Sequence, residues 1–350
     1  MNRLALAFVL LSACEPTGSK GLERGQSATA IAVGASHACL RVVDGTLRCF
    51  GSDASGQLGV GSEADAGSEA PPSKPLLVPG LNGVTDVTCG GAHTCARLDD
   101  GSVRCWGAND YGQVGDATTI TRRGPVILPA LRGARALSAG GAHTCAILVD
   151  KSVSCWGRND DGQLGDGSTT SRSTPVKASG IEDVEQIAAG TFHTCARRAD
   201  GAVLCWGRND VGQIGDGTVG PARPRATLAL GAGPASAIAV GLSDSCALLP
   251  DRTLRCWGKA VGRPSATPWN GLVSIAGIAL GASPTSFQLC ARLTDGSIRC
   301  TESTSMAPAL VPGIVNAAEI AAGASITCAR LTDGAARCWA PRGEPFPVIP

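Results

Sequence analysis

The sequence lacks an excess of charge of either sign, and it lacks a basic stripe. Its 30 lysine and arginine residues nearly balance 29 aspartate and glutamate residues, and basic residues follow one another only in pairs such as Arg122-Arg123. A protein that binds duplex nucleic acid normally concentrates basic residues on one surface to neutralise phosphates. The composition therefore argues against nucleic acid as a partner.

The sequence also lacks a second long apolar run and the short motifs that mark common catalytic sites. A transmembrane helix needs about 20 apolar residues, and no stretch after the N-terminus provides them. There is no P-loop, dinucleotide-binding fingerprint or HExxH motif. All four histidines occupy one repeat position, which removes the commonest general base. We therefore expect neither catalysis nor a bound cofactor.

The N-terminus has the pattern of an export signal. Met1-Asn2-Arg3 supplies positive charge, and the apolar run from Leu4 to Leu11 is too short to span a bilayer. Leu11-Ser12-Ala13-Cys14 resembles the lipobox of bacterial lipoproteins, in which cleavage precedes a cysteine that carries diacylglycerol. The resemblance implies a signal peptide at 1–13.

The same resemblance implies that Cys14 is lipidated and that residues 14–27, which are small and polar, form a tether. The alternative is an ordinary secretory signal cut nearby, with Cys14 incidental. Either interpretation exports the chain to an oxidising compartment, where disulfides persist. With the lipid, the protein would be held at a membrane of the bacterial envelope and face the periplasm or the cell surface.

Fourteen of the sixteen cysteines form pairs with nine residues between the partners and an aspartate at the midpoint. Cys14 and Cys89 remain. Cys89 occupies a slot that five other repeats fill with valine or alanine, so we interpret it as a buried thiol, with a reactive thiol as the alternative. The pairs are Cys39-Cys49, Cys95-Cys105, Cys145-Cys155, Cys195-Cys205, Cys246-Cys256, Cys290-Cys300 and Cys328-Cys338.

The spacing of each pair predicts a disulfide across a β-hairpin. A three-residue turn at Asp99–Gly101 places Cys95 directly opposite Cys105. Opposed residues at a non-hydrogen-bonded position lie about 4.5 Å apart at Cα, and disulfides tolerate about 4.4–6.8 Å. Closing so short a loop contributes about 2–3 kcal/mol per bridge in the chain-entropy model.

Each repeat contains four short strands and turn-rich connections. Alternating apolar residues, the cysteine hairpin and a proline-led closing strand recur seven times between residues 28 and 350. This pattern predicts an all-β, seven-bladed β-propeller of four-stranded blades, in monomeric form. The opening strand at Ala28–Val33 and the closing strand at Pro345–Ile349 are complementary types. We therefore expect the terminal strands to close the ring, with the final strand completing a blade with the first hairpin.

The repeat resembles the regulator of chromosome condensation family, whose repeats form seven-bladed propellers. The matching residues are Gly91–Ala96, Asp100-Gly101, Cys105-Trp106-Gly107 and the loop Asn109–Asp116. The resemblance covers about residues 28–350, but repeats five to seven lose the loop and repeat six replaces tryptophan with Thr301. The family's founding activity, nucleotide exchange on a small GTPase with chromatin binding, fits poorly with an exported chain. Exported members include an inhibitor of β-lactamase.

Three repeated features each allow a structural and a functional interpretation. The histidines could form a metal-binding ring, but zinc–nitrogen bonds of about 2 Å reach between blades only near the axis, so we expect structural histidines bonded to blade backbone. The Asn-Asp loops could bind calcium or be stabilised turns. The tryptophans could stack on sugars or pack between blades, which we favour. These features are His37, His93, His143 and His193; the loops from Asn109, Asn159 and Asn209; and Trp106, Trp156, Trp206, Trp257 and Trp339, with Phe50 in the first repeat.

The function predicted from these features is protein recognition by an exported, surface-anchored scaffold without catalysis. The alternatives are an inhibitor of an extracytoplasmic enzyme and a propeller that binds or acts on polysaccharide. Recognition usually resides in loops held on a rigid scaffold. The candidate binding-face residues are Asp110, Tyr111, Asp160, Asp161, Asp210 and Trp269.

The hairpin-disulfide prediction is tested by mass spectrometry of the unreduced mature protein. Proteolysis should release seven intact hairpin peptides, each holding its two cysteines together. Free thiols throughout, or bridges joining different repeats, would show that the assignment is wrong.

Overall fold

Consecutive strands assemble into seven antiparallel sheets of four strands each. The computed structural model describes residues 27–61, 74–281, 287–302, 305–340 and 345–349. The predicted signal peptide, Cys14, the predicted tether up to residue 26 and the insertion at 62–73 lie outside these residues. The described ranges consist of strands and turns, and they contain no helix that could cross a membrane.

Blades 1 to 4 follow one another along the chain in regular order. Their strands are β1 (Ala28–Val33), β2 (His37–Val42), β3 (Leu47–Gly51) and β4 (Leu76–Leu77); β5 (Val84–Cys89), β6 (His93–Leu98), β7 (Val103–Gly107) and β8 (Arg122–Ile127); β9 (Ala134–Ala139), β10 (His143–Leu148), β11 (Val153–Gly157) and β12 (Arg172–Lys177); β13 (Val184–Ala189), β14 (His193–Arg198), β15 (Val203–Gly207) and β16 (Arg223–Leu228).

Blades 5 to 7 keep this order with shorter connections. Their strands are β17 (Ala237–Val240), β18 (Asp244–Leu248), β19 (Leu254–Gly258) and β20 (Arg263–Trp269); β21 (Ile275–Leu280), β22 (Leu289–Leu293), β23 (Ile298–Glu302) and β24 (Ser305–Leu310); β25 (Ala317–Ala322), β26 (Thr327–Leu331), β27 (Ala336–Trp339) and β28 (Phe346–Ile349).

The hairpin register confirms the predicted disulfides. Cys95 pairs directly with Cys105 between β6 and β7, and the equivalent pairing recurs in every blade. The Cα atoms of the bridged residues are 4.0 to 4.1 Å apart. This matches the close approach of opposed residues at a non-hydrogen-bonded position. The fold is therefore the predicted all-β, seven-bladed propeller with one disulfide in each blade.

Strand direction gives the propeller two different faces. The first and third strands of each blade run toward one face, which we call the loop face; it carries the first turn of each blade and the long third connection, such as residues 108–121. The second and fourth strands run toward the opposite face, which we call the hairpin face; it carries the Asp-Gly turns and the links between blades. Any residue can therefore be assigned to a face from its register.

Seven glycines surround the axis where neighbouring blades approach most closely. They end the innermost strands, and a Cβ atom at any of them would overlap the backbone carbonyl of the equivalent glycine in the next blade. Backbone hydrogen bonds also cross between blades here, as from Gly91 N to Gly140 O at 3.0 Å. The seven are Gly34, Gly90, Gly140, Gly190, Gly241, Gly281 and Gly323.

The ring closes by packing of the terminal blades rather than by a shared sheet. Strand β28 pairs with β27 in its own blade, so the prediction that the final strand completes the first blade is wrong. The blades meet instead through Ala28 N donating to Gly334 O at 2.8 Å and Ser325 N donating to Ala35 O at 3.1 Å. Side chains of both blades, including Phe50 of blade 1, share one buried cluster.

The hydrophobic core lies between blades, and the repeated tryptophans build it. Trp106, Trp156 and Trp206 are fully buried, and each packs against the preceding blade. The interpretation as interblade packing is therefore confirmed, and the sugar-stacking alternative is wrong. Blade 6 carries Thr301 at this position; its interface with blade 5 instead includes Trp269 and Phe287, whose ring centroids lie 5.4 Å apart.

The axial glycines predict a sharp contrast between two glycine-to-alanine substitutions. Gly140→Ala should destabilise the fold by about 1–3 kcal/mol, because the added methyl group overpacks the axis. Gly124→Ala is the matched control, because nothing lies within 4 Å of its Cβ position. It should be neutral or stabilising by up to about 1 kcal/mol. Denaturant unfolding of the oxidised proteins measures both, and equal midpoints would contradict the axial constraint.

Candidate functional site

The histidines join neighbouring blades on the loop-face side. The Nε2 atom of His93 lies 2.8 Å from the Thr144 hydroxyl oxygen in the next blade. That hydroxyl donates to Gln113 O at 3.0 Å, so the histidine must be the donor to it and Nε2 must carry the proton. The same pairing joins His37 to Thr94, His143 to Thr194 and His193 to Ser245.

The structural interpretation of the histidines is thus correct, but the bonding partner is a hydroxyl of the next blade and not backbone. Within the described ranges, no three His, Cys, Asp or Glu side chains gather closely enough to hold a metal ion. Blades 5, 6 and 7 place Asp244, Gln288 and Ile326 at this position. Four of the seven interfaces between blades therefore carry this histidine–hydroxyl hydrogen bond, which we call the histidine clamp.

Burial keeps these histidines neutral. It lowers the pKa of His37, His143 and His193 to about 3 and that of His93 to about 4. Protonation would place a second N–H at Nδ1, and that buried atom has no partner in any of the four residues. In blade 5, burial raises the pKa of Asp244, at the equivalent position, to about 6.

The loop that follows the third strand is held by its own repeated side chains. The Asn109 amide donates to Thr118 O and Ile120 O, and its carbonyl accepts Val114 N. Gln113 accepts Tyr111 N through its side chain. Each loop also clamps the next blade, because the Gln113 carbonyl accepts Trp156 Nε1 at 2.9 Å. The loops of blades 3 and 4 repeat these contacts.

The last aspartate of each loop accepts hydrogen bonds from residues of its own blade. Arg122 Nε donates to Asp116 at 2.6 Å, and the Thr118 hydroxyl donates to the same carboxylate at 2.7 Å. Partial burial opposes the charged form, but these hydrogen bonds outweigh it and lower the pKa of Asp116. Asp166 and Asp216 are paired in the same way with Arg172 and Arg223. This arrangement matches the stabilised-turn interpretation of the loops.

A ladder of alternating arginine and aromatic side chains crosses the loop face from blade 2 to blade 4. The guanidinium carbon of Arg158 lies 5.3 Å from the ring centroid of Tyr111 and 5.3 Å from that of Phe192. The guanidinium of Arg208 lies 4.5 Å from the Phe192 centroid. We call these four residues the loop-face ladder. Each cation–π contact contributes about 0.5–1 kcal/mol at an exposed site, which biases the side chains toward this arrangement before any partner arrives.

Carboxylates border the ladder and leave it acidic. Asp160 pairs with Arg158 at 2.8 Å, and Arg208 lies 3.4 Å from Asp161 and 3.6 Å from Asp210. The side chains of Asp160 and Asp210 are more than half exposed, so these pairs add little stability. With the exposed Asp110 beside Tyr111, the carboxylates around the two guanidinium groups leave a local excess of negative charge.

The structure brings five of the six predicted binding-face residues together. Asp110, Tyr111, Asp160, Asp161 and Asp210 lie on consecutive loops of the loop face. Trp269 does not join them, because it pairs with Leu254 at the start of β19, toward the hairpin face. It is half-buried between blades 5 and 6, where it contributes to an interface that lacks the usual tryptophan. Its assignment to the binding face is therefore wrong.

Sequence reasoning missed Arg158, Phe192 and Arg208. A signal was present, because the repeat places alanine at the equivalent positions of blade 2, at Ala108 for the arginines and at Ala92 for the phenylalanine. When a large side chain replaces alanine on an exposed loop of a regular repeat, the position does not pack against the rest of the repeat. Phe192 also lies outside the register of the repeated tryptophans.

A cavity of about 410 Å³ lies on the axis at the loop-face end. Its wall consists of the last residues of the inner strands and the glycine turns, and Phe192 stands at its edge. Cys89 is also part of this wall. Burial raises the pKa of its thiol to about 12, so the thiolate needed for reaction is scarce at neutral pH. The interpretation of Cys89 as a buried free thiol is confirmed.

The fold and the loop face together define a disulfide-linked propeller that presents regular loops on one side. A model of the RCC1-like domain matches residues 12–264, more than half of the chain, and the chain therefore belongs to this family. The match ends within blade 5, the first blade that lacks the histidine and the Asn-Asp loop. The structure shows that this region nevertheless continues the ring.

Known proteins share the repeat and the fold to different extents. The human E3 ubiquitin-protein ligase HERC2 is 36% identical over 99 residues, which are 27% of this chain and 2% of HERC2. Prp20p of Saccharomyces cerevisiae has a TM-score of 0.71 at 19% identity, covering 84% of this chain and 80% of that chain. The CRINKLY WD40 ectodomain of the Arabidopsis thaliana receptor kinase ACR4 has a TM-score of 0.56 at 20% identity, covering 92% and 98%.

The neutral histidines predict that the propeller loses stability as the pH falls below about 6.5. Each histidine takes up a proton on unfolding between its unfolded pKa of about 6.5 and its lower folded pKa, which costs about 1.4 kcal/mol per pH unit. The raised pKa of Asp244 acts in the opposite direction between about pH 4 and 6, because unfolding there releases a proton.

Thermal unfolding of the oxidised protein between pH 7.5 and 4.5 measures this effect. His143→Gln should have a shallower pH dependence, because glutamine can donate to Thr194 without titrating, and the chain itself places Gln288 at this position in blade 6. An unchanged slope in this variant would show that His143 does not remain neutral in the fold.

Proposed function

We propose that the protein is an exported recognition module, tethered to a bacterial envelope membrane through Cys14, that binds a protein partner without catalysis. The export-signal pattern at the N-terminus supports this location. One disulfide in every blade supports it independently, because such bridges persist in oxidising compartments and are rare in the cytosol. The fold also occurs in an ectodomain, that of ACR4.

The loop-face ladder carries the proposal. Protein interfaces are enriched in tyrosine, phenylalanine and arginine, and a few such residues supply most of the binding energy. Here they form one continuous row over three blades, and Tyr111 is 40% exposed. Because the contacts between rings and guanidinium groups already favour this arrangement, ordering the ladder on binding costs less entropy. Less of the energy gained by burying these four residues against a partner is therefore lost to ordering their side chains.

The charge of the surface indicates the chemistry of the partner. Asp110, Asp160 and Asp210 are exposed and leave excess negative charge around the ladder. A partner that presents lysine, arginine or a row of N–H donors beside an apolar contact complements this surface. Prp20p, which shares the fold, has been described by its binding to Gsp1p and histones.

A four-residue variant tests the proposal with residues that the chain itself uses at equivalent positions. Tyr111→Val, Arg158→Ala, Phe192→Ala and Arg208→Ala copy Val211, Ala108 and Ala92 from other blades, so the scaffold should remain intact. The oxidised propeller and this variant would be immobilised and exposed to the envelope and secreted proteins of the source. A saturable partner of the native protein should bind the variant at least about 100-fold more weakly, because hot-spot residues cost about 2 kcal/mol or more each.

A hairpin-face variant, Val149→Ala with Val315→Ala, provides the matched control and should bind like the native protein. Equal binding by the ladder variant, or capture of glycan fragments in place of protein, would overturn the proposal. An enzyme among the captured proteins would be assayed for inhibition, which separates simple recognition from inhibitory binding.

A further inference from the structure

The described chain joins the propeller body on the hairpin face. The Ser27 carbonyl accepts Val43 N at 3.0 Å, and Ala28 N donates to Gly334 O at 2.8 Å. Val43 and Gly334 belong to the hairpin turns of blades 1 and 7, so both contacts lie on the same face. From Ser27 the first strand runs inward, toward the loop face. The tether is therefore fixed to the side of the molecule that lies opposite the loop-face ladder.

The length of the tether limits how the body can sit on a membrane. Residues 15–27 separate Cys14 from the propeller. A chain of this length reaches at most about 45 Å when fully extended. A six-residue strand is itself about 20 Å long, and the turns and loops add to this height. Turning the loop face toward the membrane requires the tether to run along the full side of a blade, which uses a large part of this reach.

Exposed valines lie on the hairpin face of the blades beside the point where the tether joins. Val43 of blade 1 is 60% exposed, Val315 beside blade 7 is 65% exposed, and Val273 beside blade 6 is 75% exposed. These three blades are consecutive around the ring, because blade 7 closes onto blade 1. Apolar side chains at the tips of turns suit contact with the interfacial region of a bilayer.

The hairpin turns of these three blades carry carboxylates that define which lipid surface fits. Hydrogen bonds from the Thr46 side chain lower the pKa of Asp44, and those from Ser297 lower the pKa of Asp295, so both remain ionised at neutral pH. Asp333 occupies the equivalent turn of blade 7. The positive charge of Arg48 acts on Asp44 and that of Arg299 acts on Asp295, so these turns carry both signs of charge, and a zwitterionic surface is the matching one.

We propose that the hairpin face of blades 6, 7 and 1 rests toward a zwitterionic bilayer and that the loop face points away from it. The proposal rests on the proposed lipidation of Cys14. It makes the two faces functionally distinct: the hairpin face meets lipid, and the loop-face ladder is presented to partners at the greatest distance from the membrane.

Energy transfer from a single labelled site to acceptor lipids tests this orientation on the native lipidated protein. Val149→Cys places a donor dye on the hairpin face of blade 3, and Thr169→Cys places it on the loop face of the same blade. Both sites are exposed, and Cys89 stays unlabelled because it is buried. On phosphatidylcholine vesicles that contain an acceptor dye, the Val149→Cys label should transfer energy several-fold more efficiently than the Thr169→Cys label.

Equal transfer from the two labels, or stronger transfer from Thr169→Cys, would overturn the orientation, since either result means an edge-on or inverted propeller. A Cys14→Ser variant tests the anchoring separately: it should lose membrane association while keeping its fold. If the native protein carries no lipid or does not associate with vesicles, the proposed anchoring fails and the orientation fails with it. Membrane association with equal transfer rejects the orientation alone.

Discussion

Neighbouring blades approach so closely at the axis that only glycine fits at the end of each inner strand. The carbonyl oxygen of the next blade occupies the space of the missing Cβ, from Gly34 around to Gly323 and back to Gly34. This contact recurs seven times, including in blades that lack the histidine clamp and the Asn-Asp loop. The distance between inner strands sets where the tryptophans meet the preceding blade and how far a histidine reaches to the next hydroxyl.

Around this common centre, the blades are joined in two different ways. From blade 1 to blade 5, histidine, hydroxyl, glutamine carbonyl and tryptophan form one hydrogen-bonded unit at each interface. The remaining interfaces lack this unit and rely on glycine contacts, apolar packing and backbone hydrogen bonds such as Ala317 N to Gly296 O, with Trp269 and Phe287 added between blades 5 and 6. The loop-face ladder stands on blades 2 to 4, where the scaffold beneath the loops is bonded on both sides.

The sequence predicted what depends on spacing within one repeat and missed what depends on contacts between repeats. Cysteine spacing and an Asp-Gly turn fix a hairpin register, so the disulfides and four-stranded blades were predictable. The partner of the final strand was not predictable, because the pattern of apolar residues in a closing strand does not show which blade the strand joins. Trp269 was misassigned for a similar reason: its role depends on Phe287 of the next blade. Arg158 contacts Tyr111 and Phe192 on two different blades, and no single repeat contains that information.

Since β28 pairs within its own blade, every blade is encoded by one uninterrupted stretch of chain with a self-contained disulfide. A chain that crosses a membrane N-terminus first can therefore oxidise and complete each sheet as it emerges, without waiting for a distant strand. The two cysteines of a hairpin emerge together, ahead of those of later repeats, which favours correct pairing over mispairing. Because each blade is self-contained, whole blades can also be duplicated or deleted in evolution without changing how the terminal strands pair.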